Sequence, residues 1–280
     1  GKLIHKLSLP ASKKMANDKT DIENFPEEFT WSPYLKTITG QNELEKIMLN
    51  HLNEHHNVEI KFDHELINFN EDDDNKINLE IRNKNEILHY STNYLMACDG
   101  GKSLIREKLN IPLKGRANIS NFISIYFRSE EFMELHDFGP ANIYFPLKND
   151  MAGFILNWDT GTTFTYHLII DKDIDPHSVD VRGALTKVVG SEIDDLDIIS
   201  VQPWNAHALV ANKYQRNNIF LLGDAAHLFT PTGGFGMNTG ISDAVDLAWK
   251  IEAVSSGWAS RDLLKTYNEE RRPIGIRNTN

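Results

Sequence analysis

Two short segments of this 280-residue chain order acids and glycines in a way that reads as ligand chemistry. The first is Leu221-Leu222-Gly223-Asp224-Ala225-Ala226-His227-Leu228-Phe229-Thr230-Pro231-Thr232-Gly233-Gly234-Phe235-Gly236-Met237-Asn238-Thr239-Gly240. An apolar run ends on a carboxylate, and glycines then lead toward a helix. A carboxylate accepts hydrogen bonds from sugar-like hydroxyls. Glycines let backbone N–H groups approach a ligand closely, and a helix start adds partial positive charge. The second is Tyr94-Leu95-Met96-Ala97-Cys98-Asp99-Gly100-Gly101-Lys102-Ser103-Leu104-Ile105-Arg106, again an acid and glycines at a strand-to-helix junction. Ligands of open α/β sheets sit outside the carboxyl ends of strands. The bland alternative is a tight strand-to-helix connection that uses Gly for backbone reasons in the first segment, and an Asp-Gly turn with Ser103 as a helix cap in the second. The presence of both weighs against it.

The elements that must position these segments follow from periodicity. Residues 219–222 and 94–98 are continuous apolar runs of strand length, as for buried strands. After the glycine loop, Ile241, Ala244, Val245, Ala248 and Ile251 predict a helix that Gly257 stops. Ser260 is expected to cap a last helix that Pro273 ends. Upstream, Leu44, Ile47, Met48 and Leu52 predict a helix over 40–55. Alternation predicts strands over 58–62 and 77–81, separated by a solvated acidic loop at 71–75. Residues 103–109 and 178–189 read as helices, and 119–127, 143–147, 153–158, 164–170, 198–204 and 206–210 as strands. Turns are expected at Asn149-Asp150 and Asp159-Thr160-Gly161, and residues 1–38 read as an irregular surface connection. The fold class is α/β, or mixed α+β.

Composition narrows the function. Apolar residues make up 40% and charged residues 25%, an ordinary globular balance. A net charge of −11 argues against nucleic acid and against anionic membrane surfaces. No apolar run approaches the ~20 residues of a membrane span. The single cysteine, Cys98, forms no internal disulfide, which points to a reducing, cytoplasmic setting. His51, His55, His56 and His64 include an i, i+4 pair, but no acid or cysteine at matching spacing makes them a metal site. No metal is therefore expected.

The two segments also carry a family resemblance. The chain resembles the single-component (group A) FAD-dependent aromatic hydroxylases, the p-hydroxybenzoate hydroxylase-like and phenol hydroxylase-like monooxygenases. Their D-G-x-x-S-x-x-R motif is matched by Asp99, Gly100, Ser103 and Arg106. Their G-D-A-A-H-x-x-x-P-x-x-G-x-G-x-N motif is matched by Gly223, Asp224, His227, Pro231, Gly234, Gly236 and Asn238. Gln41 with Leu44-Glu45, Asp243-Ala244, Trp249-Lys250 and the stretch from Tyr267 to Pro273 are similar to further family positions.

The resemblance implies that Asp224 binds the ribityl hydroxyls of FAD and that the loop with Pro231, Gly234, Gly236, Met237 and Asn238 lies beside the isoalloxazine. Gly223 and Gly100, at the two turns, are implied cofactor-binding positions as well. Asp99 would lie near the pyrophosphate and the nicotinamide path, and Gln41 near the ribityl–phosphate side. Arg106 would brace the Asp-Gly turn. The implied reaction is hydroxylation of an aromatic or phenolic substrate with NAD(P)H and O2 through a flavin hydroperoxide; another flavin oxidoreductase on this scaffold, or an inactive FAD-binding fragment, is the alternative. The implied architecture is a partial FAD-binding Rossmann-like domain (1–114 and 211–280) with an inserted strand-rich substrate domain (115–210). A homodimer is among the assemblies this allows. In the substrate domain, Phe122, Tyr126, Tyr144, Phe145, Phe154, Trp158, Tyr166 and Trp204 suit a flat apolar substrate, although core packing is the plainer reading of any single one. No catalytic residue is assigned; His207 and Tyr144 are candidates for a substrate base. The family's opening G-x-G-x-x-G unit is missing and no Met starts the chain. The expectation is therefore an N-terminally incomplete piece of a longer enzyme.

Overall fold

Apolar alternation and helical spacing resolve into twelve strands and five α-helices in the computed structural model, which describes residues 39–136, 139–147, 151–159, 161–231 and 233–279. In chain order these are α1 (Gln41–Asn53), β1 (His64–Glu71), β2 (Ile77–Asn83), β3 (Glu86–Thr92), β4 (Leu95–Ala97), α2 (Leu104–Lys108), β5 (Leu113–Arg128), β6 (Ile143–Tyr144), β7 (Gly153–Asn157), β8 (Thr163–Ile170), α3 (Val181–Val189), β9 (Asp197–Ala211), β10 (Gln215–Arg216), β11 (Ile219–Leu221), β12 (His227–Leu228), α4 (Phe235–Ser255) and α5 (Thr266–Thr279). The expected connection over 1–38 and the Asn149-Asp150 turn lie outside the described residues.

The chain divides into two compact units, residues 1–59 with 122–204, and residues 60–121 with 205–280. In the second unit β1, β2 and β3 form an antiparallel meander. The acidic loop closes its first hairpin, where the Asp72 carboxylate accepts from the Asp74 and Lys76 N–H groups. Beside it in sequence, β11 pairs antiparallel with β10 and parallel with β4. The core of this unit gathers Ile77, Ala97, Ile105, Phe220, Leu221, Leu247 and Tyr267. In the first unit, β7 pairs antiparallel with β6 and β8, and the strand order continues through β5 to β9. One face of that sheet buries Ile123, Ile125, Phe127, Phe164, Tyr166 and Leu168 with Leu185 of α3. Asp180 caps α3 by accepting from Gly183 N–H, and Gly190 ends it in the left-handed region.

Several local expectations are corrected. Residues 58–62 are turn and coil rather than strand; β1 starts at His64. The meander has a third strand, β3, whose exposed polar residues hide its alternation. The strands expected at 198–204 and 206–210 are one, β9, which passes through Pro203 unbroken. Helix α4 begins at Phe235, six residues before the first residue of the apolar repeat, because its first turns are glycine-rich and polar. Ser260 makes no side-chain cap; a 3₁₀ turn over Arg261–Lys265 precedes α5 instead. Pro273 lies inside α5 rather than ending it. Its missing N–H costs one helical bond, while flanking tertiary bonds hold the helix: Arg271 to Asp243 and Arg272 to the Ala211 carbonyl.

Candidate flavin site

The two chemistry-bearing segments leave the same end of neighbouring strands. Leu221 lies opposite Ala97 in the parallel β11–β4 pair, and the Leu222 N–H donates to the Ala97 carbonyl at 3.0 Å. Asp99 follows Ala97 by two residues and Asp224 follows Leu221 by three. This is the strand-end position at which α/β sheets take ligands.

The Asp-Gly loop closes on α2. The Asp99 carboxylate accepts from Ile105 N–H at 3.2 Å, and the Ser103 hydroxyl accepts from Arg106 N–H at 2.9 Å. Gly100 turns the chain at φ +80°, a left-handed conformation that favours glycine. Arg106 is buried and donates to the Gly101 carbonyl at 2.8 Å and the Ala225 carbonyl at 3.1 Å. It thus ties the two loops together. Burial raises the pKa of the neighbouring Cys98 thiol, and Asp99 and Asp243 add to the effect.

The Gly-Asp loop rests on a buried network that its own motif does not spell out. Gly223 N–H donates to Asp243 Oδ2 at 3.2 Å, and His227 Nε2 meets the same oxygen at 2.8 Å. Arg271 Nε donates to Asp243 Oδ1 at 2.8 Å. Asp243 and His227 are fully buried, so this carboxylate must be paired to be tolerated at all. The Tyr267 hydroxyl donates to the Leu221 carbonyl at 2.7 Å, and desolvation by burial drives its pKa strongly upward. Lys250 is also fully buried, between Asp246 at 2.7 Å and Glu270 at 2.9 Å. A side chain at Gly240 would meet the Gly223 backbone at 3.2 Å, so the strand end sits directly on α4. Asp243 stands out in the sequence only as an acid four residues from both Thr239 and Leu247 on the buried face of α4.

Above this base the loop is open. Asp224 is exposed and accepts no hydrogen bond among the described residues. Partial desolvation raises its pKa, opposed by His227. Gly234 caps α4 at φ +67° with no side-chain cap bond, and the first turn of α4 carries no acid. Among the described residues, a Cβ at Gly100, Gly234 or Gly236 would meet nothing within 4 Å. Gly236 has ordinary helical geometry, where glycine costs ~0.5–1 kcal/mol relative to alanine. No neighbouring atom among the described residues requires it. An uncapped helix start, an unpartnered carboxylate and glycines facing open space fit a polyhydroxylated, partly anionic group, as FAD is. Met237 and Pro231 are exposed, and Asn238 donates to the Gly234 carbonyl at 2.7 Å. Gln41 opens α1 in the other unit, where its amide donates to Glu45 at 2.6 Å. His207 accepts from Asn118 N–H at 3.1 Å. The Tyr144 hydroxyl donates to the Gly139 carbonyl and accepts from Ala141 N–H, and burial raises its pKa. A cleft of about 480 Å³ lined by Leu109, Ile111, Lys213 and Arg216 includes none of the residues of either loop.

Comparison with known proteins agrees with the geometry. Residues 6–280 match the FAD binding domain family. The chain is 32% identical over 261 residues to 4-methyl-5-nitrocatechol 5-monooxygenase of a Burkholderia species, covering 89% of this chain and 47% of that protein. It is 34% identical over 197 residues to the 12-dehydrotetracycline 5-monooxygenase/anhydrotetracycline 6-monooxygenase of Streptomyces rimosus, covering 66% and 39%. Among solved structures it is similar to aklavinone-11 hydroxylase in a ternary complex with FAD and aklavinone, with TM-score 0.80 and 26% identity over 87% of this chain and 47% of that one. The chain spans about half the length of the curated relatives it matches. With both strand-end motifs in one sheet and the match running over nearly its whole length, the chain belongs to the FAD binding domain family.

Proposed function

We propose that this chain is the flavin-binding and substrate-facing part of an NAD(P)H-dependent monooxygenase that hydroxylates an aromatic or phenolic compound. The observation that carries the reading is the parallel β11–β4 register, which sends Asp99 and Asp224 out of the same end of one sheet. The unit of residues 60–121 and 205–280 is assigned to the flavin, and the β5–β9 sheet of the other unit to the substrate. The relatives named above are monooxygenases and hydroxylases of ring compounds, which supports the same class.

When bound, FAD supplies the redox chemistry, taking reducing equivalents from NAD(P)H and passing one atom of O2 to the substrate. The chain's own residues bind and orient. Asp224 accepts from the ribityl hydroxyls. The N–H groups at the start of α4, near Gly236, would favour negative charge on a flavin held there, where a helix end contributes ~0.3–1 kcal/mol when exposed and up to ~2 when partly buried. Asp243, His227 and Arg271 hold the loop that presents these groups. Pro231, Met237 and Asn238 shape its rim. The exposed Cys98, with no disulfide partner, suits a reducing cytoplasmic setting.

The test is reconstitution. The protein is mixed with FAD, and binding is followed by flavin fluorescence. The full-length parent is then assayed for NAD(P)H oxidation and a product heavier by one oxygen atom with phenolic substrates. A parent that retains no flavin, or gives no oxygenated product across a phenol panel, overturns the reading.

A further inference from the structure

The sheet of the first unit has a second face, opposite the one packed under α3, and it is aromatic. Phe122 of β5 stacks on Trp204 of β9 with ring centroids 4.4 Å apart and planes 6° from parallel. Phe154 of β7 stacks on His167 of β8 at 4.5 Å, and Phe122 and Phe154 meet edge to face at 6.3 Å. A serine hydroxyl lies within this floor. The Trp204 indole N–H donates to Ser124 Oγ at 2.7 Å, and Ser124 Oγ lies 2.7 Å from His167 Nδ1.

The proton inventory favours one direction for this chain. The indole N–H can only donate, so Ser124 accepts from Trp204. The Ser124 hydroxyl proton has no other acceptor among the described residues, so the arrangement in which it donates to His167 Nδ1 is the one that pairs it. His167 is then neutral with its proton on Nε2. Desolvation supports the neutral form by lowering the His167 pKa to about 4. Nε2 has no hydrogen-bond partner among the described residues and is not sealed in. The floor therefore carries one pre-set N–H donor flanked by stacked rings.

From this geometry we infer that His167 is a specificity-determining residue, whose Nε2–H, oriented by Ser124 and Trp204, selects aromatic substrates bearing a ring oxygen such as a phenol or phenolate. This rests on the monooxygenase reading for the identity of the face as a substrate face. In the proposed role His167 binds the oxygen and stabilises its anionic form; it does not remove the proton, because a neutral imidazole already hydrogen-bonded at Nδ1 has no lone pair free toward the ligand. Ser124 and Trp204 are positioning residues.

The test uses the 280-residue protein with ¹⁵N-labelled histidine, titrated with 4-nitrophenol and with nitrobenzene, which lacks the oxygen. The expected result is an Nε2–H tautomer at His167, a shift of that nitrogen on adding the phenol, and phenol binding roughly tenfold tighter than nitrobenzene. His167→Phe keeps the stacking and should erase the preference to within about twofold with nitrobenzene affinity unchanged. His167→Gln, which restores an N–H donor, should recover part of it. Ser124→Ala should mix the tautomers. An Nδ1–H or charged His167, equal binding of the two probes, no binding of either, or an equal loss of both in His167→Phe overturns the proposal. These readouts need no turnover, so a parent that fails to hydroxylate leaves them standing as a separate result.

Discussion

Arg106 donates to the main-chain carbonyl of Ala225, 119 positions further along the chain, at 3.1 Å. A second nitrogen of the same guanidinium serves the Gly101 carbonyl. One buried side chain thus fastens the two acid-bearing turns to each other, and the spacing of Asp99 from Asp224 depends on it.

Arg106→Leu should therefore destabilise the second unit by about 2–4 kcal/mol, the cost of leaving two carbonyls without donors in a buried site and losing charge-assisted bonds. Urea unfolding followed by tryptophan fluorescence measures it. A loss below about 0.5 kcal/mol would show that solvent takes over the bonds.

Asp224→Ala should separate binding from folding. The carboxylate is exposed and accepts no hydrogen bond among the described residues, so the melting temperature should hardly move. Flavin affinity should fall about 10- to 150-fold, as for loss of a charged acceptor worth ~1.5–3 kcal/mol. Fluorescence titration of FAD reads the second quantity, and unchanged affinity contradicts the assigned contact.

Two glycines of α4 should behave in opposite ways. Gly236→Ala adds a methyl into open space and removes a helix-breaking residue, so stability should rise by up to ~0.5–1 kcal/mol while FAD binding weakens several-fold. Gly240→Ala presses on the Gly223 backbone at 3.2 Å and should cost about 1–3 kcal/mol. Parallel denaturation and flavin titrations distinguish them; equal stability changes would remove the argument that only Gly240 is fixed by packing.

Acid should find His167. Its folded pKa of about 4 lies below the ordinary 6.5. Below pH 6.5 the unfolded chain takes up the proton first, so its contribution to stability is complete above that value and is lost as pH falls through about 4. The total is a few kcal/mol at most. Comparing the pH dependence of unfolding for wild type and His167→Phe isolates it. Identical slopes between pH 4 and 6.5 would mean that His167 charges freely in the folded chain.

Much of this arrangement was legible before any coordinates. The run at 219–222 is apolar throughout because β11 is buried on both faces, and that pattern is easily recognised; the equally apolar run at 94–98 reads the same way, yet Met96 of β4 and the following Cys98 are exposed. Gly257 as a stop acts within a few residues and occurs as expected, at φ +80°, and the Ser103 cap that belonged to the bland alternative is present as well. What escaped depends on partners far away in sequence. Pro273 is tolerated in α5 because Arg271 and Arg272 are anchored elsewhere. The helix stripe of Leu44, Ile47, Met48 and Leu52 was legible, yet α1 buries none of its residues among those described. Asp243 gives little sign of its role, since an acid on a helix is ordinary until His227 and Arg271 are seen on either side. Ser124 and His167 look like polar interruptions of strands; only the pairing of β5 with β8 and β9 makes them neighbours.

The contact between Gly223 and Gly240 makes the loop a hinge-free bracket: its root is clamped backbone to backbone, while Pro231, Gly233, Gly234, Phe235, Met237 and Asn238 are exposed. Chemistry at these positions can then be exchanged without disturbing the mounting. Libraries confined to Pro231, Met237 and Asn238 should alter what is held there while the fold's melting behaviour stays that of the parent sequence.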